Sequence, residues 1–119
     1  MTRRIFKDDK VVETLADFAE ATVDAANTEE IKYLDLNRAS TDYVNAICQK
    51  NAEKYNRDPG DITHLNAAGE SVFGRMTLDL LLEEREDLNK YFRANKALSD
   101  KISNGEFAPG RNQSTILPL

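Results

Sequence analysis

The most informative stretch of this chain is Asp61-Ile62-Thr63-His64-Leu65-Asn66-Ala67-Ala68-Gly69. It contains the only histidine of the protein, with an aspartate three residues before it. An aspartate that accepts a hydrogen bond from one ring nitrogen fixes the tautomer of the histidine and leaves the other nitrogen as a base. Asp61 and His64 are therefore candidate catalytic residues, and we expect a carboxylate oxygen within about 3.2 Å of His64 Nδ1.

The same spacing also fits an ordinary surface turn. Aspartate fills 11 of the 119 positions, so a histidine has an aspartate three places before it by chance about one time in eleven. In that alternative, the Asp61 carboxylate caps a backbone amide of its own turn. The sequence contains no Gly-x-Ser-x-Gly or Gly-Asp-Ser turn that would supply a nucleophile.

Hydrophobic periodicity outward from this stretch predicts a mostly helical α/β chain with one clear strand. The predicted helices cover residues 10–28, 40–56, 66–85 and 87–101. Their inward faces carry Phe18 and Val23, then Tyr43, Val44, Ile47, Cys48 and Ala52, then Val72, Phe73, Met76, Leu80 and Leu81. Ile31–Leu36 is a short apolar run between two helices, which is typical of a buried parallel strand. Such a strand needs neighbouring strands to satisfy its backbone amides, and most of that sheet is missing from the chain.

Polar residues mark the ends of these elements. Asp35 and Asn37 follow the predicted strand, where open α/β sheets build their binding sites. Alternatively, Asn37 or Ser40 caps the next helix, and we favour this simpler role. Asn66 is predicted to cap the third helix. Cys48 is the only cysteine, so an internal disulfide is excluded, and we expect it to be a small buried residue.

Several blocks in the same order resemble a known family. They are Arg3-Arg4-x-Phe6, Val11-Val12, Tyr33-Leu34-Asp35-Leu36-Asn37 and Pro59-Gly60-Asp61-x-Thr63-His64-Leu65-Asn66-x-x-Gly69. Together they resemble the C-terminal part of an SGNH (GDSL-type) hydrolase, and within that superfamily the rhamnogalacturonan acetylesterase-like carbohydrate esterases of fungi and bacteria. The resemblance covers roughly residues 3–98 and is most specific around Asp61 and His64.

The resemblance implies a three-layer α/β/α fold with a flavodoxin-like parallel sheet, of which residues 1–103 would form the C-terminal segment and residues 104–119 an irregular tail. It implies serine-type deacetylation of a pectic polysaccharide such as rhamnogalacturonan, with Asp61 as orienting acid, His64 as general base, and no cofactor or metal. The family's Gly-Asp-Ser block, its oxyanion-hole glycine block and its Gly-x-Asn-Asp block do not occur here. We therefore expect this chain to be inactive alone.

Composition narrows the other possibilities. The formal charge is -5 and the basic residues are dispersed, so no nucleic-acid surface is expected. One cysteine and one histidine cannot build a Cys/His zinc site. No signal peptide and no membrane span is expected, and the cellular location is not determined. A non-catalytic binding domain derived from such a hydrolase is the alternative function, and self-association through unpaired sheet edges is expected for either.

Overall fold

Helices dominate residues 1–109, the part of the chain that the computed structural model describes. The chain begins with a short antiparallel hairpin, β1 (Phe6–Lys7) and β2 (Lys10–Val11), in which Phe6 pairs with Val11. The helices that follow are α1 (Ala16–Thr28), α2 (Leu36–Ala52), α3 (Ala67–Glu84) and α4 (Lys96–Ser103). Single 3₁₀ segments, Glu53–Tyr55 and Glu86–Tyr91, follow α2 and α3. The coarse prediction of a mostly helical chain is confirmed, with this small sheet as its β component.

The core lies where α2 and α3 meet, and aromatic rings fill it. Tyr43 and Tyr55 both pack edge-to-face against Phe73, with ring centroids 6.1 and 5.5 Å apart. Phe107 adds a fourth ring, 5.4 Å from that of Tyr55. Such pairs add to the stabilisation that comes from apolar burial alone. The predicted inward residues of these helices that are buried are Tyr43, Val44, Ile47, Ala52, Val72, Phe73 and Met76.

Residues 104–109 form no helix or strand, yet they complete this core. The Tyr55 hydroxyl donates a hydrogen bond to the Ala108 carbonyl at 2.6 Å, and the Tyr43 hydroxyl donates to the Glu106 carbonyl at 3.0 Å. Ala108 is buried, and Phe107 packs against the core. An irregular segment can be this well held because buried hydroxyl groups satisfy its carbonyls. The remainder of the predicted tail lies outside the described residues.

The predicted strand Ile31–Leu36 is wrong. Residues 29–35 connect α1 to α2 without pairing to any strand of the described chain, and 63% of Ile31 is exposed. A parallel strand requires neighbours for its amides, and residues 1–109 offer none. Instead, the Asp35 carboxylate accepts a hydrogen bond from Arg38 N at 2.9 Å and caps α2, which begins at Leu36. Asp35 therefore takes the capping role that the sequence assigned to Asn37 or Ser40.

The first predicted helix is also shorter and less buried than expected. Residues 10–11 belong to the hairpin, and α1 begins only at Ala16. No residue of α1 is buried within the described chain, and Phe18 is 72% exposed. The last predicted helix, 87–101, is divided into the 3₁₀ segment Glu86–Tyr91 and α4. The burial of α1 is overestimated because periodicity marks an apolar face without showing what covers it.

Cys48 is exposed, so its predicted burial is wrong. It interrupts α2 with a backbone of φ 67° and ψ 161°, a conformation that is essentially restricted to glycine. The helix restarts after this kink, where the Asp9 carboxylate accepts a hydrogen bond from Gln49 N at 2.9 Å. Cys48 therefore carries backbone strain that its side chain does nothing to offset.

Replacing Cys48 by glycine is expected to stabilise the protein. A non-glycine residue in this backbone conformation costs the folded protein about 1–3 kcal/mol. Glycine removes that cost, but its greater backbone freedom in the unfolded chain offsets about 0.5–1 kcal/mol of the gain. The free energy of unfolding, measured by urea titration, should therefore rise by about 1 kcal/mol. The matched control is Cys48→Ala, which keeps the Cβ atom and should give no such gain. Equal effects of the two variants would contradict the strain.

Candidate catalytic pair

The loop that carries Asp61 and His64 is closed at its base by backbone hydrogen bonds. Arg57 N donates to the His64 carbonyl at 3.1 Å, and Asn66 N donates to the Tyr55 carbonyl at 2.9 Å. An isolated antiparallel bridge joins Asn56 to Leu65. These contacts connect the loop to the core through Tyr55, so the loop has fixed ends.

Asn66 ends the loop and begins α3, as predicted. Its side-chain oxygen accepts a hydrogen bond from Gly69 N at 2.9 Å, which is the N-cap arrangement. Its side-chain amide donates to the Lys54 carbonyl at 2.7 Å and to the Asn56 carbonyl at 3.2 Å. One side chain therefore caps the helix and ties it to the segment on the other side of the loop.

Asp61 and His64 form the expected pair. His64 Nδ1 lies 3.1 Å from Asp61 Oδ2 and 3.2 Å from Asp61 Oδ1, and neither residue is in a helix. The distance prediction is confirmed. The capping alternative is realised as well, because Asp61 Oδ1 also accepts hydrogen bonds from His64 N at 2.9 Å and Thr63 N at 3.1 Å. The turn thus holds the carboxylate in place while the carboxylate holds the ring.

The backbone donors keep Asp61 ionised. Hydrogen bonds from the amides of His64 and Thr63, with a smaller contribution from the His64 ring, lower the pKa of Asp61 to about 2. Arg57 Nη2 adds a positive charge 3.5 Å from Asp61 Oδ2. An ionised carboxylate only accepts hydrogen bonds, so neutral His64 must carry its proton on Nδ1. The lone pair is then on Nε2, which makes no hydrogen bond within residues 1–109.

The pair lies at the surface. The side chain of His64 is 62% exposed, whereas that of Asp61 is 19% exposed. The acid is therefore sheltered and the base is presented outward, which is the arrangement that a general base needs to reach a group on another element. The pair can accept and return a proton, but it supplies no nucleophile.

No serine of the described chain pairs with His64, and three of the serine hydroxyls make bonds elsewhere. Ser40 Oγ accepts from Thr2 N at 2.8 Å, and Ser71 Oγ donates to the Ala67 carbonyl at 3.0 Å. Ser99 Oγ accepts from Arg75 Nε at 2.9 Å. These contacts agree with the absence of a nucleophile motif in the sequence.

A cleft of about 930 Å³ in the described chain does not include this pair. It lies between α2, α3 and α4, and its acidic lining surrounds Arg75, which is paired with Asp79 at 2.7 Å. Neither Asp61 nor His64 lines it. Within residues 1–109 there is no cluster of three or more metal-ligating side chains, and no helix is long and apolar enough to span a bilayer.

Two residues that support the pair were not singled out as site residues. Arg4 is only 1% exposed, and its Nη2 donates to the His64 carbonyl at 2.7 Å. Gly69 lies against the loop, and a Cβ atom there would be 2.8 Å from Leu65 Cδ2 and 2.9 Å from the Tyr55 carbonyl oxygen. Both belong to the sequence blocks quoted above, but nothing in those blocks shows that they pack against the loop.

No family model, curated protein or solved structure matches this chain. The roles of Asp61 and His64 therefore depend on their geometry and on the sequence blocks around them. The pairing itself is a structural fact, whereas catalysis by the pair stays a prediction.

Replacing Gly69 by alanine should destabilise the protein and loosen the loop. The added methyl group overlaps Leu65 and the Tyr55 carbonyl, and overpacking of this kind costs about 1–3 kcal/mol. Gly74 in the same helix is a matched control, because a Cβ atom there meets nothing within 4 Å. Gly74→Ala should stabilise by about 0.5–1 kcal/mol. Denaturant unfolding of both variants measures the contrast, and a shift of the same sign in both would contradict the close packing at Gly69.

Asp61 should contribute stability that depends on pH. Its pKa is lowered from 3.8 to about 2 in the folded protein, so its contribution is present above pH 3.8 and is lost as the pH falls toward 2. The difference in unfolding free energy between the wild type and Asp61→Asn should therefore shrink across this window. Denaturant titrations at pH 6, 4, 3 and 2 would measure it, and a difference that does not change with pH would refute the assignment.

Proposed function

We propose that this chain supplies the Asp-His pair of a serine-type carbohydrate esterase of the SGNH (GDSL-type) class, which deacetylates a pectic polysaccharide such as rhamnogalacturonan. The observation that carries the proposal is the contact between His64 Nδ1 and the ionised carboxylate of Asp61, with Nε2 directed away from it. The sequence blocks around the pair support the class of enzyme, and the nucleophilic serine lies outside these 119 residues.

In the proposed reaction, His64 Nε2 takes the proton of the serine hydroxyl as the serine oxygen attacks the acetyl carbonyl carbon. The tetrahedral intermediate collapses, and the sugar oxygen leaves with the proton that His64 returns to it. Water then attacks the acetyl-serine while His64 again accepts a proton, and acetate is released with the serine restored. Asp61 holds the tautomer throughout and stabilises the imidazolium that forms twice in the cycle.

The surface of the chain supports its being one part of a larger fold. The exposed side of α1 carries Phe18, and the connection after α1 carries Ile31 and Tyr33, which are exposed as well. The described chain is flat, with extents of 47 × 41 × 23 Å. Exposed apolar surface of this kind marks a site of interaction. A parallel sheet in the proposed three-layer α/β/α fold would cover such a surface.

A non-catalytic interaction domain is the second candidate, and the same apolar surface favours it. In this case Asp61 and His64 only stabilise their turn, and the surface around α1 recruits another chain. Self-association would also use this surface, because the predicted open edges of an Ile31–Leu36 strand do not exist in the described chain. An acetylated polysaccharide is a partner only under the first candidate.

The isolated chain should hydrolyse an activated acetyl ester no faster than free imidazole does. It has a base but neither a nucleophile motif nor an oxyanion hole, and each oxyanion donor is worth about 10²–10³ in rate. Co-expression with the N-terminal half of a complete SGNH esterase, which carries the serine and oxyanion blocks, should restore the release of acetate. His64→Ala should abolish the restored activity, and Asp61→Asn should reduce it by about 10⁴ through the wrong tautomer.

Asp58→Asn is the matched control, since Asp58 lies in the same loop and its carboxylate pairs with Arg57, at 3.2 Å, rather than with Asp61 or His64. It should leave the restored activity unchanged. A stable complex of the two halves with no acetate release would favour the interaction domain. Labelling of the isolated chain by a serine-directed fluorophosphonate would reveal a nucleophile within it and contradict the proposal.

A further inference from the structure

We infer that Arg4 is the positioning residue for the catalytic pair, holding the loop so that its amides point at Asp61 and its ring stays on the carboxylate. The inference rests on the proposed function and names the residue on which the geometry of that site depends. Arg4 touches neither Asp61 nor the ring of His64 through a hydrogen bond, so it acts through the backbone of the loop.

Arg4 binds the loop at two points on either side of Thr63. Its backbone N–H donates to the Ile62 carbonyl at 3.0 Å, and its Nη2 donates to the His64 carbonyl at 2.7 Å. Its Nε also donates to Asn56 Oδ1, at the other end of the loop. Arg4 thus binds the turn on both sides of Thr63 and also binds Asn56, which lies before the turn.

The orientation of the amides follows from these anchors. The peptide that ends in the Ile62 carbonyl is the one whose N–H belongs to Thr63, and this N–H donates to Asp61 Oδ1 at 3.1 Å. A peptide is planar, so a carbonyl held on one side directs the N–H to the other side. The backbone N–H of residue 4 holds the Ile62 carbonyl and so directs the Thr63 amide toward the carboxylate, whichever side chain stands there. By holding the His64 carbonyl, the Arg4 side chain restricts the residue that carries the base.

The burial of Arg4 is costly for a purely structural residue. Only 1% of Arg4 is exposed, and burial lowers the pKa of its guanidinium while the charge of Asp61 raises it. Nη1 is buried without a hydrogen-bond acceptor among residues 1–109. Replacing buried ionic groups by apolar residues is often neutral or stabilising, so stability alone does not explain an arginine here. An arginine at this position is explained if the loop has to be held in one conformation with a positive charge nearby.

The neighbouring cations lack these features. Arg3 makes one side-chain contact to the loop, at 3.2 Å from Thr63 Oγ1, and that contact is exposed. The side chain of Arg57 is 58% exposed. Arg3 is therefore the matched control, since it is the adjacent arginine on the same segment and reaches the same turn.

The test uses the full chain and its single histidine, whose ring nitrogens can be assigned in ¹⁵N NMR spectra without ambiguity. In the wild type, neutral His64 should carry its proton on Nδ1, and Asp61 should titrate near pH 2 by carboxyl ¹³C NMR. Arg4→Lys keeps the charge but loses the two-point hydrogen bonding of the guanidinium. The His64 carbonyl then loses its donor, while the backbone contact to Ile62 remains. The variant should therefore move the tautomer toward the mixture of free imidazole and weaken the His64 amide bond to Asp61, which raises the pKa of Asp61 above about 2. Arg3→Lys should change neither value.

In the reconstituted enzyme, Arg4→Lys should lower kcat by about 10² with little change in KM, since misplacing a catalytic group by about 1 Å has this effect. Circular dichroism must show that the variant is folded, and Arg4→Gln serves as a second variant. A folded Arg4→Lys with an unchanged tautomer and unchanged Asp61 titration would overturn the inference. Unfolding of both variants would overturn it too, because Arg4 would then be structural.

The NMR results separate this inference from the proposed function. They require no activity, so a changed tautomer together with a reconstituted complex that releases no acetate would retain Arg4 as the positioning residue of the turn and reject the esterase. Restored acetate release that Arg4→Lys does not reduce would retain the esterase and reject the positioning role.

Discussion

The Tyr55 backbone and side chain together connect the core, residues 104–109 and the loop that bears the Asp61–His64 pair. Its carbonyl accepts the hydrogen bond from Asn66 N at 2.9 Å, and its hydroxyl donates to the Ala108 carbonyl at 2.6 Å. Tyr55 is fully buried, and burial is the main reason that its pKa is raised far above the ordinary value. Its hydroxyl therefore stays neutral and available as a donor, so the core remains closed over the segment that contains Ala108.

The loop depends on this constraint because its own contacts are short-range. Within residues 1–109 the Asp61 carboxylate pairs with residues 57, 63 and 64, all within four positions of Asp61. Such a turn could form on many scaffolds and point in many directions. Tyr55 fixes one end of the loop and Arg4 fixes its interior, so the direction in which His64 faces is set by residues up to sixty positions away. The proposed function requires this fixed orientation, because a catalytic base has to be held in place by the residues that support it.

Three features of the structure are not expected to stabilise the folded chain. The guanidinium of Arg4 is buried with one nitrogen lacking an acceptor in the described chain, and α1 exposes Phe18. Cys48 holds a backbone conformation suited to glycine. The exposure of Phe18 agrees with the proposed function, in which a further part of the enzyme covers α1, and the buried Arg4 agrees with its proposed hold on the loop. Nothing in the structure explains the cysteine at position 48.

The sequence by itself determined what is local. The pairing of Asp61 with His64, the cap at Asn66 and the span of α3 follow from contacts three or four residues apart, and each is present. The inward faces of α2 and α3 are present for the most part, with Cys48 exposed and Leu80 and Leu81 only partly buried. Only the tertiary structure decided whether Ile31–Leu36 is a strand, whether α1 is covered, where Cys48 lies, and that Arg4 and Ala108 are buried. These outcomes depend on partners far along the chain, because a strand needs neighbours and a buried charge needs acceptors. A hydrophobic pattern shows that a residue is apolar, but it does not show which part of the protein packs against that residue.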